Sequence, residues 1–337
     1  MSDVIELNKV QQVAFSQLRA DAECFYSLIM QTRGVSQVSA NAYIMLMPFI
    51  GVFTDGAEQW SRKVDLPAPQ YSIKEKEYYN AVRSSHKLFK GNFADFSSAI
   101  WNYYLASDMY FREIRSLREK IVGYSNVGVG KSNEHFCGNT VFCSAFLPNF
   151  DFGKAQNYGE YIRGMSVFAG KMVSTYLPND RTMLKTNPNT AYIDNDYHFF
   201  SRCPLKRHEQ QDLALFTILC LINFVLYFTD RIFLVNRTTM TRIAYLVYYY
   251  VAMLIQDMNE QCDAAFHIND ALISTDFRNC MAHYGLGSVL AEQDIIEDGF
   301  GGLTQKVFGL SFSDTASQLR SYMASVSWQL ERYLLKS

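Results

Sequence analysis

This sequence lacks the cysteine spacings that mark a disulfide framework or a metal site. Its seven cysteines, at 24, 137, 143, 203, 220, 262 and 280, include no C-x-x-C pair and are odd in number. Reduced thiols in a cytoplasm are therefore expected rather than a disulfide scaffold. None of the six histidines stands at ligand spacing from these cysteines, so no metal and no cofactor is expected. Charge is also sparse, at 19% of residues against about a quarter in a typical chain. The 31 basic and 33 acidic side chains nearly cancel, which excludes a broad polybasic coat but leaves room for a local basic groove. No apolar run reaches the roughly 20 residues that a bilayer-spanning helix needs. The longest, Leu213 to Phe228, is interrupted by Thr217 and Asn223 and reads as a buried core helix, with no stable membrane insertion. The polar, acidic start MSDVIELNKVQQ does not read as a signal peptide.

What is present is apolar periodicity. Apolar residues make up 49% of the chain, ample for a core. Residues 3–63 read as helical, with Gly34 ending a first helix and Ser36 or Ser39 capping the next. The segment DLPAPQ from Asp65 breaks the pattern. Two more helices are predicted in 73–122, separated at Gly91 and Asn92. Residues 123–208 are rich in Gly, Asn, Asp and Pro and read as long connections, with one helix near 158–176 and a short strand pair. Helices return at 209–228, running on toward Val235, and at 239–260, 263–284 and 314–335, with Asp314 as N-cap of the last. The expected fold class is mostly α: a helical N-terminal region at 1–122, a loop-rich connection at 123–208 and a four-helix bundle at 209–337.

The segment that carries chemistry is DFRNCMAHYGLG, residues 276–287. Arg278 is followed at once by Asn279 and, after four intervening residues, by His283; Gly285 and Gly287 should then stop the helix. His283 falls in the last turn, where the helix dipole favours a charged imidazole. Asn279 and His283, four apart, share a face, whereas Arg278 and His283 stand about 140° apart around the axis. Two such helices across a symmetric interface would gather two arginines and two histidines around one phosphate. These residue types suit RNA cleavage without a metal. Arginine binds and stabilises a phosphate, histidine moves a proton near neutral pH, and asparagine orients either. The 2′-hydroxyl distinguishes RNA from DNA.

The string RNCMAH resembles the R-x(4–6)-H signature of the HEPN superfamily, with Asn279 matching the family's common form R-[N/D/H]-x-x-x-H. The resemblance covers roughly 200–335 and implies a HEPN-like helical bundle at 209–337 with the motif on a late helix. It also implies a metal-independent endoribonuclease acting as a homodimer, with products ending in 2′,3′-cyclic phosphate and 5′-hydroxyl. Many bacterial members are toxins or phage-defence effectors, so RNA, a second copy and an antitoxin or regulatory protein are the expected partners. One branch of the family carries a tyrosine two positions after the histidine, where this chain has Gly285. A non-catalytic helical module binding RNA or a protein is the alternative reading.

Secondary candidates surround this motif. Arg202, Lys206, Arg207 and His208 form the densest basic patch, and with Tyr284 they are the candidate RNA contacts. The stretch SNVGVGKS at 125–132 evokes a phosphate loop, but Ser125 stands where a Walker A sequence needs glycine, and it reads as a flexible loop after a helix.

Overall fold

Where apolar residues recur at three- and four-residue steps, the chain is helical. The computed structural model describes all residues except 1–5, 34–37, 64, 115–116, 118–125, 148–157, 178, 180–182, 199–203, 263–264, 297–299 and 337. Helix α1 spans Lys9–Arg33 and buries the stripe Ala14, Leu18, Ala22, Phe25 and Leu28. Helix α2, Ala40–Lys63, is buried along most of its length and takes Pro48 in its interior. The predicted Gly34 stop and Ser36 cap lie outside the described residues, while Ser39 Oγ accepts from Asn41 N at 3.1 Å, as a cap should.

Helix α3, Ile73–Ser84, opens with a reciprocal capping box between Ser72 and Glu75 and runs on into a 3₁₀ turn, Ser85–Phe89. The break at Gly91 and Asn92 follows, and α4 spans Phe93–Ile114. The middle of the chain holds strands β1 (Asn126–Ser132), β2 (His135–Asn139) and β3 (Ile193–His198), antiparallel in the order β2-β1-β3. Between them lie α5, Thr140–Phe146, and α6, Tyr158–Tyr176. The stretch read as a flexible loop after a helix is thus largely a strand. Its Gly130, paired with Gly138 on β2, gives room to a ring rather than to a phosphate: a Cβ on either would lie within 2.2 Å of the Tyr192 hydroxyl oxygen.

Helix α7, Gln210–Asn223, continues through a π-helical turn at Phe224–Thr229. The segment Gln210–Ile232 is long and apolar enough to cross a membrane, yet 89% of its 18-residue apolar stretch is buried inside the fold. Its polar side chains have internal partners: Asn139 Nδ2 donates to Thr217 Oγ1 (3.4 Å) and Ser327 Oγ to Asn223 Oδ1 (2.6 Å). After α8, Arg237–Cys262, the described part of the expected helix at 263–284 is helical only in α9, Thr275–His283. Side chains hold the chain between them out of a helix. Asn259 takes both backbone polar groups of Phe266, and Gln329 takes both of His267. Short α10, Gly301–Phe308, precedes α11, Phe312–Leu334. Ser311, rather than Asp314, caps α11; Asp314 offers its backbone N–H to Ser311 Oγ at 3.0 Å.

A single apolar cluster runs from Val10 to Leu334, through all three expected regions. At its centre Asp21 of α1 forms an ion pair with Arg242 of α8, both side chains fully buried. The guanidinium carbon lies 4.1 Å from the Phe53 ring centre and 4.3 Å from that of Tyr284. Gln17 and Thr239 each donate to Asp21 at 2.7 Å, and Arg242 Nε and Nη2 donate to the Met281 carbonyl at 2.9 and 2.7 Å. Removing one partner strands a buried charge. Asp21→Ala is therefore expected to lower unfolding free energy in urea by roughly 3–5 kcal/mol, and the double change Asp21→Leu/Arg242→Met by less than the single one. A loss below about 1 kcal/mol for Asp21→Ala would show that the pair is not structurally important.

Candidate functional site

Helix α9 is fixed at both ends. Ser274 caps its start, accepting from Phe277 N at 3.2 Å, and Tyr245 brackets Ser274 through both of its backbone polar groups, at 3.0 and 3.1 Å. Phe277, Cys280, Met281 and Ala282 face the core. The stop is made by Tyr284, in a left-handed conformation with φ 54°, and not by Gly285 or Gly287. A bulky residue holds that conformation at a cost of about 1–2 kcal/mol. Tyr284 is kept there by a hydrogen bond from its hydroxyl to Asp21 and by its ring against Arg242. It is 3% exposed, so the expected RNA contact at Tyr284 is corrected to a core position behind the site.

Helix α2 lies between α3 and α9 and brings both close. A Cβ on Gly51 would meet Arg83 N at 3.0 Å, and one on Gly56 would meet the Ala282 oxygen at 2.9 Å and His283 Cα at 3.0 Å. At Gly56 a side chain would force the backbone of α9 to shift, and at Gly51 it would be tight against α3. The result is a cavity of about 240 Å³ lined by Arg278, Ala282 and His283 from α9, by Asn80, Arg83, Ser84, His86, Lys87 and Lys90 from α3 and its 3₁₀ extension, and by Val52, Leu246 and Tyr250. Arg278 and His283, about 140° apart around their helix by the ideal period, thus face one space. Asn279 is exposed and does not line it; its Oδ1 accepts from Arg278 Nη1 at 2.8 Å. The Arg278 guanidinium carbon lies 5.4 and 5.7 Å from the Tyr249 and Tyr250 ring centres.

Three side chains reach this cavity with buried nitrogens that make no hydrogen bond: Nε of Arg278, Nδ1 of His283 and both ring nitrogens of His86. Buried donors and acceptors are normally paired, so four unmet nitrogens on three neighbouring side chains set this cavity apart. Arg83 is held by Asp55 at 2.5 Å, and Asp55 in turn accepts from Gln59 at 2.8 Å. Burial lowers the pKa of His283; Asp55 pulls the other way, and Arg83, Arg278 and Lys90 add to the lowering. This reverses the expectation of a charged imidazole: burial and three nearby cations outweigh the helix end. His86 is driven down to about 3, first by burial and then by Lys90, Arg278 and His283; the Pro48 carbonyl opposes this without forming a bond of normal geometry.

The remaining predicted contacts lie elsewhere. Arg202 is outside the described residues. Lys206 donates to the Arg332 carbonyl at 2.6 Å, Arg207 pairs with Asp212 at 2.9 Å and stacks on Tyr333, and His208 is exposed near Lys336. None of these three lines the cavity. The residues that sequence reasoning did not single out are Arg83, His86, Lys87 and Lys90. Their signal was the basic spacing in RSSHKLF and the lysine after it, inside a helix with no recognisable motif.

No protein-family model, no curated protein and no solved structure matches this chain.

The sign of the pH dependence follows from His86. Its pKa in the fold is about 3 against a reference of 6.5, so between these values the unfolded chain binds the proton and the fold does not. Stability therefore falls as pH drops from 6.5 towards 3, and His283 adds in the same direction. The His86→Phe variant, measured by urea denaturation from pH 7 to pH 4.5, should lose less stability than the wild type, by on the order of 1 kcal/mol per pH unit. Equal slopes would mean that His86 titrates as it does in the unfolded chain.

Proposed function

We propose that this chain is a metal-independent endoribonuclease of the HEPN type, acting in a bacterial cytoplasm as a toxin or anti-phage effector. The observation that carries the reading is that Arg278 and His283, read from sequence as a phosphate clamp and a proton carrier, line one cationic cavity, each with a side-chain nitrogen that no hydrogen bond satisfies. The depressed pKa of His283 favours a neutral imidazole, the form that accepts a proton. His283 takes the proton of an RNA 2′-hydroxyl. The 2′-oxygen then bonds to phosphorus, the bond to the 5′-oxygen breaks, and a proton is delivered to that leaving oxygen. That proton comes from solvent, to which the imidazolium of His283 returns the one it took. Arg278 binds the phosphate as its charge builds, and Asn279, bonded to Nη1, sets the tilt of the guanidinium.

Incubating purified chain with labelled tRNA and total RNA in EDTA tests this directly. The wild type should produce 2′,3′-cyclic phosphate ends, and Arg278→Ala and His283→Ala should each reduce the rate by roughly 10²–10⁴-fold. Intact RNA with the wild type, alongside retained RNA binding, would favour the non-catalytic RNA-binding module instead.

A further inference from the structure

The scissile phosphate carries one negative charge, and Arg278 alone is a sufficient partner for it. The cavity holds three further cations. Arg83, Lys87 and Lys90 are four and three residues apart along the end of α3 and its 3₁₀ extension, a spacing that puts them on one face. Among the described residues only Arg83 of these three has an ion pair, with Asp55. The pKa of Lys90 is lowered by burial and then by repulsion from Arg278, Arg83 and Lys87. An anion placed there relieves that repulsion. His86 gives an independent pointer, since it is 5% exposed, lines the same cavity and has no hydrogen bond on either ring nitrogen. As a neutral imidazole it carries one donor and one acceptor, both unmet. At about 240 Å³ the cavity has room for a phosphodiester and its neighbour.

We infer that Arg83, Lys87 and Lys90 form a second phosphate subsite, which seats the phosphodiester next to the one held by Arg278. This rests on the ribonuclease reading for the identity of the anion, single-stranded RNA. The subsite itself is a statement about binding two consecutive phosphates, and it is tested apart from cleavage.

The probes are the 2′-deoxy oligomers d(TpT) and d(TpTpT), which carry one and two phosphodiesters and cannot be cleaved by 2′-hydroxyl attack. Calorimetric titration of the wild type should show d(TpTpT) binding at least about tenfold tighter than d(TpT), the worth of a charge-assisted contact. Lys87→Ala/Lys90→Ala, two exposed positions whose loss leaves the core intact, should abolish that difference. Arg278→Ala should weaken both probes alike. The slope of log affinity on log salt for d(TpTpT) should also fall by about 0.7 in the double variant, the share of one single-strand phosphate. A preference for the longer probe that survives in the double variant overturns the subsite. Tighter binding of ATP than of d(TpTpT) overturns its assignment to an RNA backbone and gives it to a free nucleotide. Because neither oligomer is a substrate, the expected binding with no RNA cleavage would remove the ribonuclease reading and leave the subsite standing.

Discussion

The buried pair of Asp21 and Arg242 is the constraint on which the rest of the molecule depends. A guanidinium in a dry interior must be met by charge and by oriented acceptors, and this one is met by a carboxylate from α1 and a carbonyl from the last turn of α9. Those partners come from positions 21, 242 and 281, so satisfying one side chain ties three distant stretches of chain into one register. Tyr284 completes the arrangement and turns the backbone left-handed just after His283. The imidazole is thereby placed by the core behind it rather than by the loop that follows.

In front of that core the electrostatics are adverse. Four cationic side chains and two histidines share a small cavity, with Asp55 as the acid bonded to the wall at Arg83. Their mutual repulsion adds to burial in lowering the pKa of His86, His283 and Lys90. A polyanion entering the cavity would exchange repulsion for attraction at each contact. The same surroundings, burial first and then Arg83, Arg278 and Lys90, also lower the pKa of His283.

The helices were largely legible in the sequence, because apolar periodicity is a local signal. The α1 stripe, the break at Gly91 and Asn92 and the helix at Tyr158–Tyr176 all stand where periodicity or punctuation put them. The errors came where distant side chains override local preference. Residues 265–274 have helical composition in part, but Asn259 and Gln329 occupy their backbone groups from other helices. Gly130 looked like a phosphate-loop glycine because nothing in its neighbourhood mentions Tyr192. The cationic wall at Arg83, Lys87 and Lys90 was unreadable as a site, since only the close approaches at Gly51 and Gly56 bring it opposite α9.

Those two glycines have a consequence for how the chain could have been assembled. Helix α2 touches the backbones of α3 and α9 directly, and α1 supplies the counter-charge for Arg242. The motif-bearing bundle is therefore not a portable module. Excised at residue 209, it would keep its arginine and histidine but expose a stranded guanidinium and half of an open cleft. Shuffling of this bundle onto another N-terminal partner would have to recreate both contacts at once, so the two parts of the chain are bound to change together.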